Sequence, residues 1–137
     1  MTPVILDTSV IVAAHLSAQG AASSLLSAFY SDQLRLAHTP AIVAEYAEVL
    51  ARPKFAAFIT DQSRIALLMK LRSSGEQVTP VPVPDDEWPD PDDLPFVAAA
   101  LATPDKILVT LNPRDFAPAK RHGVHVLSPS TAIRQLL

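Results

Sequence analysis

Apolar and polar positions alternate along the chain in blocks that read as strands followed by helices. Pro3-Val4-Ile5-Leu6 is an unbroken apolar run that ends at Asp7, Thr8 and Ser9, and Val10-Ile11-Val12-Ala13-Ala14 begins a second one. A run with no polar alternation predicts a strand buried on both faces, as in a parallel sheet. The polar triplet then opens a helix that fades near Gly20. Leu25, Leu26, Phe29 and Tyr30 recur at helical spacing and predict a second helix over Ala21 to Tyr30. Leu34 to His38 predicts a short strand, and Thr39-Pro40 starts a helix running to Leu50, with the hydroxyl as cap and the proline in the first turn. Its stripe of Ile42, Val43, Tyr46, Val49 and Leu50 leaves Glu45 and Glu48 on one shared side. Arg52-Pro53-Lys54-Phe55 breaks and restarts the helical run, and Asp61 to Leu71 predicts a further helix ended near Gly75.

Gln77 to Val83 predicts a third strand that Pro80, Pro82 and Pro84 confine to an edge. From Asp85 to Asp93 six of nine residues are acidic and the others are Trp88 and two prolines, so this stretch is read as irregular. It delivers Asp90, Asp92 and Asp93 to the start of an alanine-rich helix, Leu94 to Ala102. Lys106 to Thr110 predicts a fourth strand, Asn112 to Phe116 the loop after it, and Val124 to Leu127 a fifth strand. Ser128-Pro129-Ser130 then caps a terminal helix ending in Leu136-Leu137. Strands that alternate with helices predict an α/β fold, a three-layer α/β/α sandwich around a central parallel sheet of about four to five strands.

Composition narrows the function more than the fold. At 137 residues the chain suits one domain, taken as residues 1–137. No apolar run approaches the roughly 20 residues needed to cross a bilayer, so no membrane partner is expected. A strand follows Met1 almost at once, with no basic leader or cleavage site, so a cytoplasmic location is expected. Without cysteine, disulfides, thiolate-held zinc and cysteine nucleophiles are excluded, and any metal must sit on oxygen or imidazole. The net charge of −3 argues against coating nucleic acid by charge alone. The four histidines, His15, His38, His122 and His125, show no ligand-like spacing and receive no role.

Acidic residues carry the candidate chemistry. Asp7 ends the first strand, Asp90 to Asp93 stand at a helix start, and Asp115 follows the fourth strand. The carboxyl ends of parallel strands share one edge of a sheet, so these residues converge although about a hundred positions separate them. Glu45, early on its helix, can face them. Such carboxylates repel one another unless a cation lies between them, and Mg²⁺ or Mn²⁺ suits an all-oxygen site that keeps waters for a phosphate substrate. The implied reaction is phosphodiester hydrolysis. Each acid also has a structural alternative: Asp7 and Asp93 can be helix caps, Glu45 a solvated helix residue, and Asp115 a turn residue. Asp85, Asp86, Glu87 and Glu48 are assigned to solvated surface. Arg52, Lys54, Arg114, Lys120 and Arg121 are candidate phosphate contacts.

These segments, in order, resemble the PIN domain, and in particular the VapC-type toxins of bacterial toxin–antitoxin systems. The resemblance is carried by Val4-Ile5-Leu6-Asp7-Thr8-Ser9-Val10, by Pro40 through Ala44-Glu45-Tyr46-Ala47-Glu48-Val49-Leu50 with Arg52-Pro53-Lys54-Phe55, and by Asp90-Pro91-Asp92-Asp93 ahead of Phe96-Val97-Ala98-Ala99-Ala100-Leu101. Leu108-Val109-Thr110-Leu111-Asn112-Pro113-Arg114-Asp115-Phe116 completes it. It implies an RNA-cleaving, Mg²⁺- or Mn²⁺-dependent nuclease whose acidic quartet maps onto Asp7, Glu45, Asp93 and the Asn112–Asp115 segment. The family often has aspartate where this chain has Asn112, a neutral and weaker ligand, and Asp115 can supply that charge. Ser9 resembles the family's small polar helper beside the first aspartate. The resemblance also implies an antitoxin protein as partner, and together with the apolar surface of Ala21–Tyr30 and of the helices from Pro40 to Leu71 it leads us to expect a homodimer. The rival reading is a PIN-like domain that binds RNA or protein with weak or no cleavage, and Asn112 is the feature that favours it.

Overall fold

The structure, a computed structural model, describes residues 2–84, 88 and 90–137. Its strands are β1 (Ile5–Leu6), β2 (Ala37–His38), β3 (Glu76–Gln77), β4 (Ile107–Val109) and β5 (His125–Leu127). Between and after them come the helices α1 (Thr8–Leu16), α2 (Ala21–Tyr30), α3 (Pro40–Leu50), α4 (Asp61–Ser74), α5 (Leu94–Leu101) and α6 (Pro129–Leu136). Strands β1, β4 and β5 form one parallel ladder and β2 with β3 another. A parallel bridge between Val4 and Leu36 joins the two, through bonds from Val4 N–H to Arg35 O (3.0 Å) and Ala37 N–H to Val4 O (2.9 Å). The order across the five strands is therefore β3-β2-β1-β4-β5.

On one side α1 packs on α2 and α2 on α6, while on the other α3 packs on α4 and α5, and α5 lies against β1, β2 and β4. This is the expected three-layer α/β/α arrangement. The reason is visible in burial: Val4, Ile5, Leu6, Leu36, Ala37, Leu108 and Val109 are all buried, as strands covered on both faces must be. Alanines at positions 99 and 100, fully buried, let α5 approach the sheet closely. The order reverses at β1, with β2 on one side and β4 on the other, and such a switch point opens a crevice at the strands' carboxyl ends.

Local chemistry sets the helix that matters most. Thr39 accepts the Ile42 N–H at 3.2 Å and Pro40 fills the first turn, so α3 starts where the capping signal predicts. Tyr46, fully buried on α3, donates its hydroxyl to the Leu6 carbonyl. A buried carbonyl left unpaired costs roughly 1–3 kcal/mol, so this bond pins α3 to the end of β1. At the other end of the layer, a side chain on Gly75 would meet the Leu71 carbonyl at 2.5 Å and the His38 ring at 2.8 Å, so only glycine lets α4 turn into β3 here. His38, which received no role from the sequence, is a buried structural residue whose Nε2 bonds the Leu71 carbonyl at 3.1 Å.

Three expectations are corrected. The third strand is Glu76–Gln77 rather than Gln77 to Val83, because the prolines at 80, 82 and 84 cannot donate to a ladder. The segment after β4 is not a plain loop: Pro113–His122 forms successive 3₁₀ turns, interrupted at Phe116. Helix α2 turns Leu25, Leu26 and Phe29 inward, so most of the apolar surface expected to be free there is spent in the core. Among the described residues, no single helix is long and apolar enough to cross a membrane. The surface assignment of Asp85, Asp86 and Glu87 falls outside the described residues.

Candidate active site

The crevice at the carboxyl ends of β1 and β4 is where the sequence-predicted acids meet. Asp7 occupies the capping position of α1, yet its side chain makes no capping bond. Its Oδ2 instead accepts from the Ser9 hydroxyl and from the Thr110 hydroxyl, each at 2.8 Å. The capping alternative for Asp7 thus gives way to a buried carboxylate held by two side chains. Thr110 is placed by register: Leu6 pairs with Val109, so the next residue of each strand stands side by side.

Ser9 does more than assist Asp7. Its oxygen also accepts the Leu111 N–H at 3.2 Å, and Thr110 Oγ1 accepts the Asn112 N–H at 3.1 Å. These bonds lash the segment after β4 onto the start of α1. On the facing helix, the Thr8 hydroxyl donates to Glu45 Oε2. Glu45 is therefore no free solvated residue: α3, pinned by Tyr46, presents it to the same crevice.

An open cleft of about 500 Å³ runs along this edge, lined among others by Thr8, Ser9, Glu45, Asp90, Asp92 and Asp93. Asp93 begins α5 without a capping bond from its side chain, whereas Asp90 caps its own short 3₁₀ turn by accepting the Asp92 N–H at 2.9 Å. Burial, then the charges of Asp7, Asp90, Asp115 and Glu45, push the Asp93 carboxyl up to about 7. Glu45 also lies above its ordinary value, first through burial and then through Asp7, Asp92 and Glu48, with the Thr8 bond opposing. Tyr46 is raised by its burial and by Asp7 and Glu45. The charges of Asp7, Glu45 and Asp115, from three other chain segments, thus reach Asp93, and that of Asp7 reaches Glu45 as well.

Not every sequence-predicted residue joins them equally. Asp115 is exposed but acts on Asp93, whereas Asn112 is exposed and its contact to the group runs through its backbone N–H. Among the described residues, no three carboxylate or imidazole groups are set close enough to share one ion as they stand. The donor set nonetheless fits a hard divalent cation in kind: it is all oxygen and anionic, and burial together with the neighbouring acids raises the Asp93 carboxyl to about 7. Sequence reasoning passed over Thr110 and Tyr46 and set Asp92 aside. Two signals pointed to the first pair: a hydroxyl at the end of a buried strand, and a tyrosine on an apolar stripe, whose OH needs a partner when buried.

Comparison with protein families gives one finding that bears on this geometry. The model of the family described as PIN domain matches residues 3–114, a span that holds Asp7, Glu45, Asp93 and Asn112 and stops one residue short of Asp115. No curated protein matches the chain.

Proposed function

The chain belongs to the PIN-domain family, whose members are generally metal-dependent nucleases, and from that premise we propose that it is an endoribonuclease using Mg²⁺ or Mn²⁺ to hydrolyse RNA phosphodiester bonds. The observation that carries this reading is the convergence of Asp7, Glu45, Asp93 and Asp115 at one crevice with too little positive charge among them.

Those four carboxylates would hold the cation. A cation held there would supply Lewis-acid stabilisation of charge on the phosphate and would lower the pKa of the attacking water. The chain's own residues do the positioning. Ser9 and Thr110 both donate to Asp7 Oδ2, which leaves Oδ1 for a ligand, and Thr8 holds Glu45 at the cleft wall. Asp93, raised to about 7 by burial and then by its acidic neighbours, would give up its proton when a cation binds beside it. Purified protein is expected to cleave RNA with Mg²⁺ or Mn²⁺ and to stop in excess EDTA, and equal cleavage in EDTA would overturn the reading. The rival, a domain that binds without cleaving, rests on Asn112, and the action of Asp115 on Asp93 weakens it.

The finer reading is a cytoplasmic VapC-type toxin held in check by a small antitoxin protein. Its test is a small adjoining reading frame whose co-expressed product binds the chain and stops cleavage; an adjoining product that leaves cleavage untouched counts against it. A homodimer remains part of the proposal, now resting on Phe58, Ile65 and Met69, which stay 65, 49 and 64% exposed. Light scattering at high micromolar concentration is expected to give twice the chain mass, and a monomer mass would remove this element.

A further inference from the structure

The acidic cleft has one positive side chain in its wall. Among the described residues, Arg52 is the only cation lining it, alongside Glu45 and Val49 of α3. Val49 lies one turn after Glu45 on α3, and Arg52 stands two residues past the end of that helix, in extended backbone leading into the 3₁₀ turn Pro53–Phe55. Arg52 Nε donates to Glu48 Oε1 at 3.2 Å and its Nη2 to Glu48 Oε2 at 3.0 Å, a two-bond fork-to-fork pair. Both side chains are largely exposed, so the pair adds little to stability. Its effect is directional: Glu48 sits one turn nearer Glu45 and draws the guanidinium back toward the acids. Three of the five N–H donors of Arg52 remain for a ligand. Two other cations are engaged elsewhere, Lys54 over the Phe55 ring at 5.1 Å and Arg64 with Asp61 at 3.0 Å, and neither lines the cleft.

Resting on the nuclease reading above, we propose that Arg52, aimed by Glu48, binds the RNA phosphate next to the one being cleaved and so sets the register of the strand across the acids. Arg52 lines the same cleft as Glu45 but from beyond the end of α3, so its contact falls on a phosphate beside the reacting one. A planar, permanently charged fork is suited to this contact, and an acidic cleft needs such a fixed cation to admit a polyanion.

The test titrates a fluorescein-labelled single-stranded oligoribonucleotide in Ca²⁺ and assays its cleavage in Mn²⁺, with wild type, Arg52→Gln, Arg52→Lys, Glu48→Gln and Arg64→Gln. Arg52→Gln is expected to weaken binding about tenfold, the scale of one charge-assisted bond, and to raise KM similarly with kcat nearly unchanged. It should also flatten the slope of log affinity against log salt by about 0.7. Arg52→Lys should recover the slope but not the full affinity, and Glu48→Gln should show a smaller loss. Arg64→Gln, the matched surface pair, should change nothing. Equal effects of Arg52→Gln and Arg64→Gln, an unchanged salt slope, or no oligonucleotide binding by wild type would overturn the proposal. Binding that depends on Arg52 without cleavage in Mn²⁺ would overturn the nuclease reading and leave only the Arg52–phosphate contact standing, while cleavage indifferent to Arg52 would overturn the proposal and leave the nuclease reading.

Discussion

Asp7→Asn is expected to leave the chain folded while lowering RNA cleavage at least about 100-fold, more than the roughly 10–100-fold typical for loss of a group that only supports a metal ligand. The fold should survive because the carboxylate makes no capping bond to α1, and because asparagine keeps an oxygen to accept from Ser9 and Thr110. What the substitution removes is charge, at the one buried aspartate among the acids. Circular dichroism and the thermal midpoint should stay near wild type, and the lost cleavage should be partly recovered at high Mn²⁺. A folded Asp7→Asn protein that cleaves at the wild-type rate would show that Asp7 is structural only.

Asp93→Asn should also abolish cleavage, but it should make the metal-free protein more stable. The carboxyl of Asp93 is pushed from its ordinary 3.8 to about 7 in the folded chain, chiefly by burial and then by its acidic neighbours. A raised acid means that the folded state binds more protons than the unfolded state between those values, so stability falls as pH rises from about 4 to about 7 and the full penalty applies above 7. Because the side chain is partly exposed, solvent screening reduces that penalty to the order of 1 kcal/mol, or about 3–6 °C in Tm for a chain of this size. In EDTA at pH 8, Asp93→Asn is therefore expected to melt a few degrees above wild type, and at pH 4 the two should coincide. Adding Mn²⁺ should close the gap from the wild-type side, since a ligand that binds only the folded state stabilises it. A lower midpoint for Asp93→Asn in EDTA at pH 8 would mean that the carboxylate is satisfied where it stands, and the electrostatic account of the site would be wrong. The Asp93 expectation reflects a familiar conflict, in which groups gathered for chemistry strain the fold that gathers them.

From the residues alone, the fold class and the acidic positions were legible. A short apolar run ending in a polar triplet reads as a strand covered on both sides, and alternation of such strands with helices favours parallel pairing, which carries Asp7 and the residues after Val109 to one edge. The limits of α2 and α3 were equally legible, because capping threonine, first-turn proline and a 3.6-residue stripe are local signals that need no distant partner. The match of residues 3–114 to the PIN-domain family agrees with that order of motifs.

Tertiary structure decided everything that depends on two distant segments touching. That Asp7 is gripped by Ser9 and Thr110 rather than capping α1 follows from the β1–β4 register, which no local pattern contains. Tyr46 looked like one more apolar stripe residue, and only the packing of α3 on β1 turned its hydroxyl toward Leu6. The weight on Asp115 over Asn112 came from its charge reaching Asp93, and the singling out of Arg52 from five candidate cations came from its place in the cleft wall. Periodicity reports which face of an element is buried, but charge and hydrogen bonding act through space, so their partners are set when the elements pack.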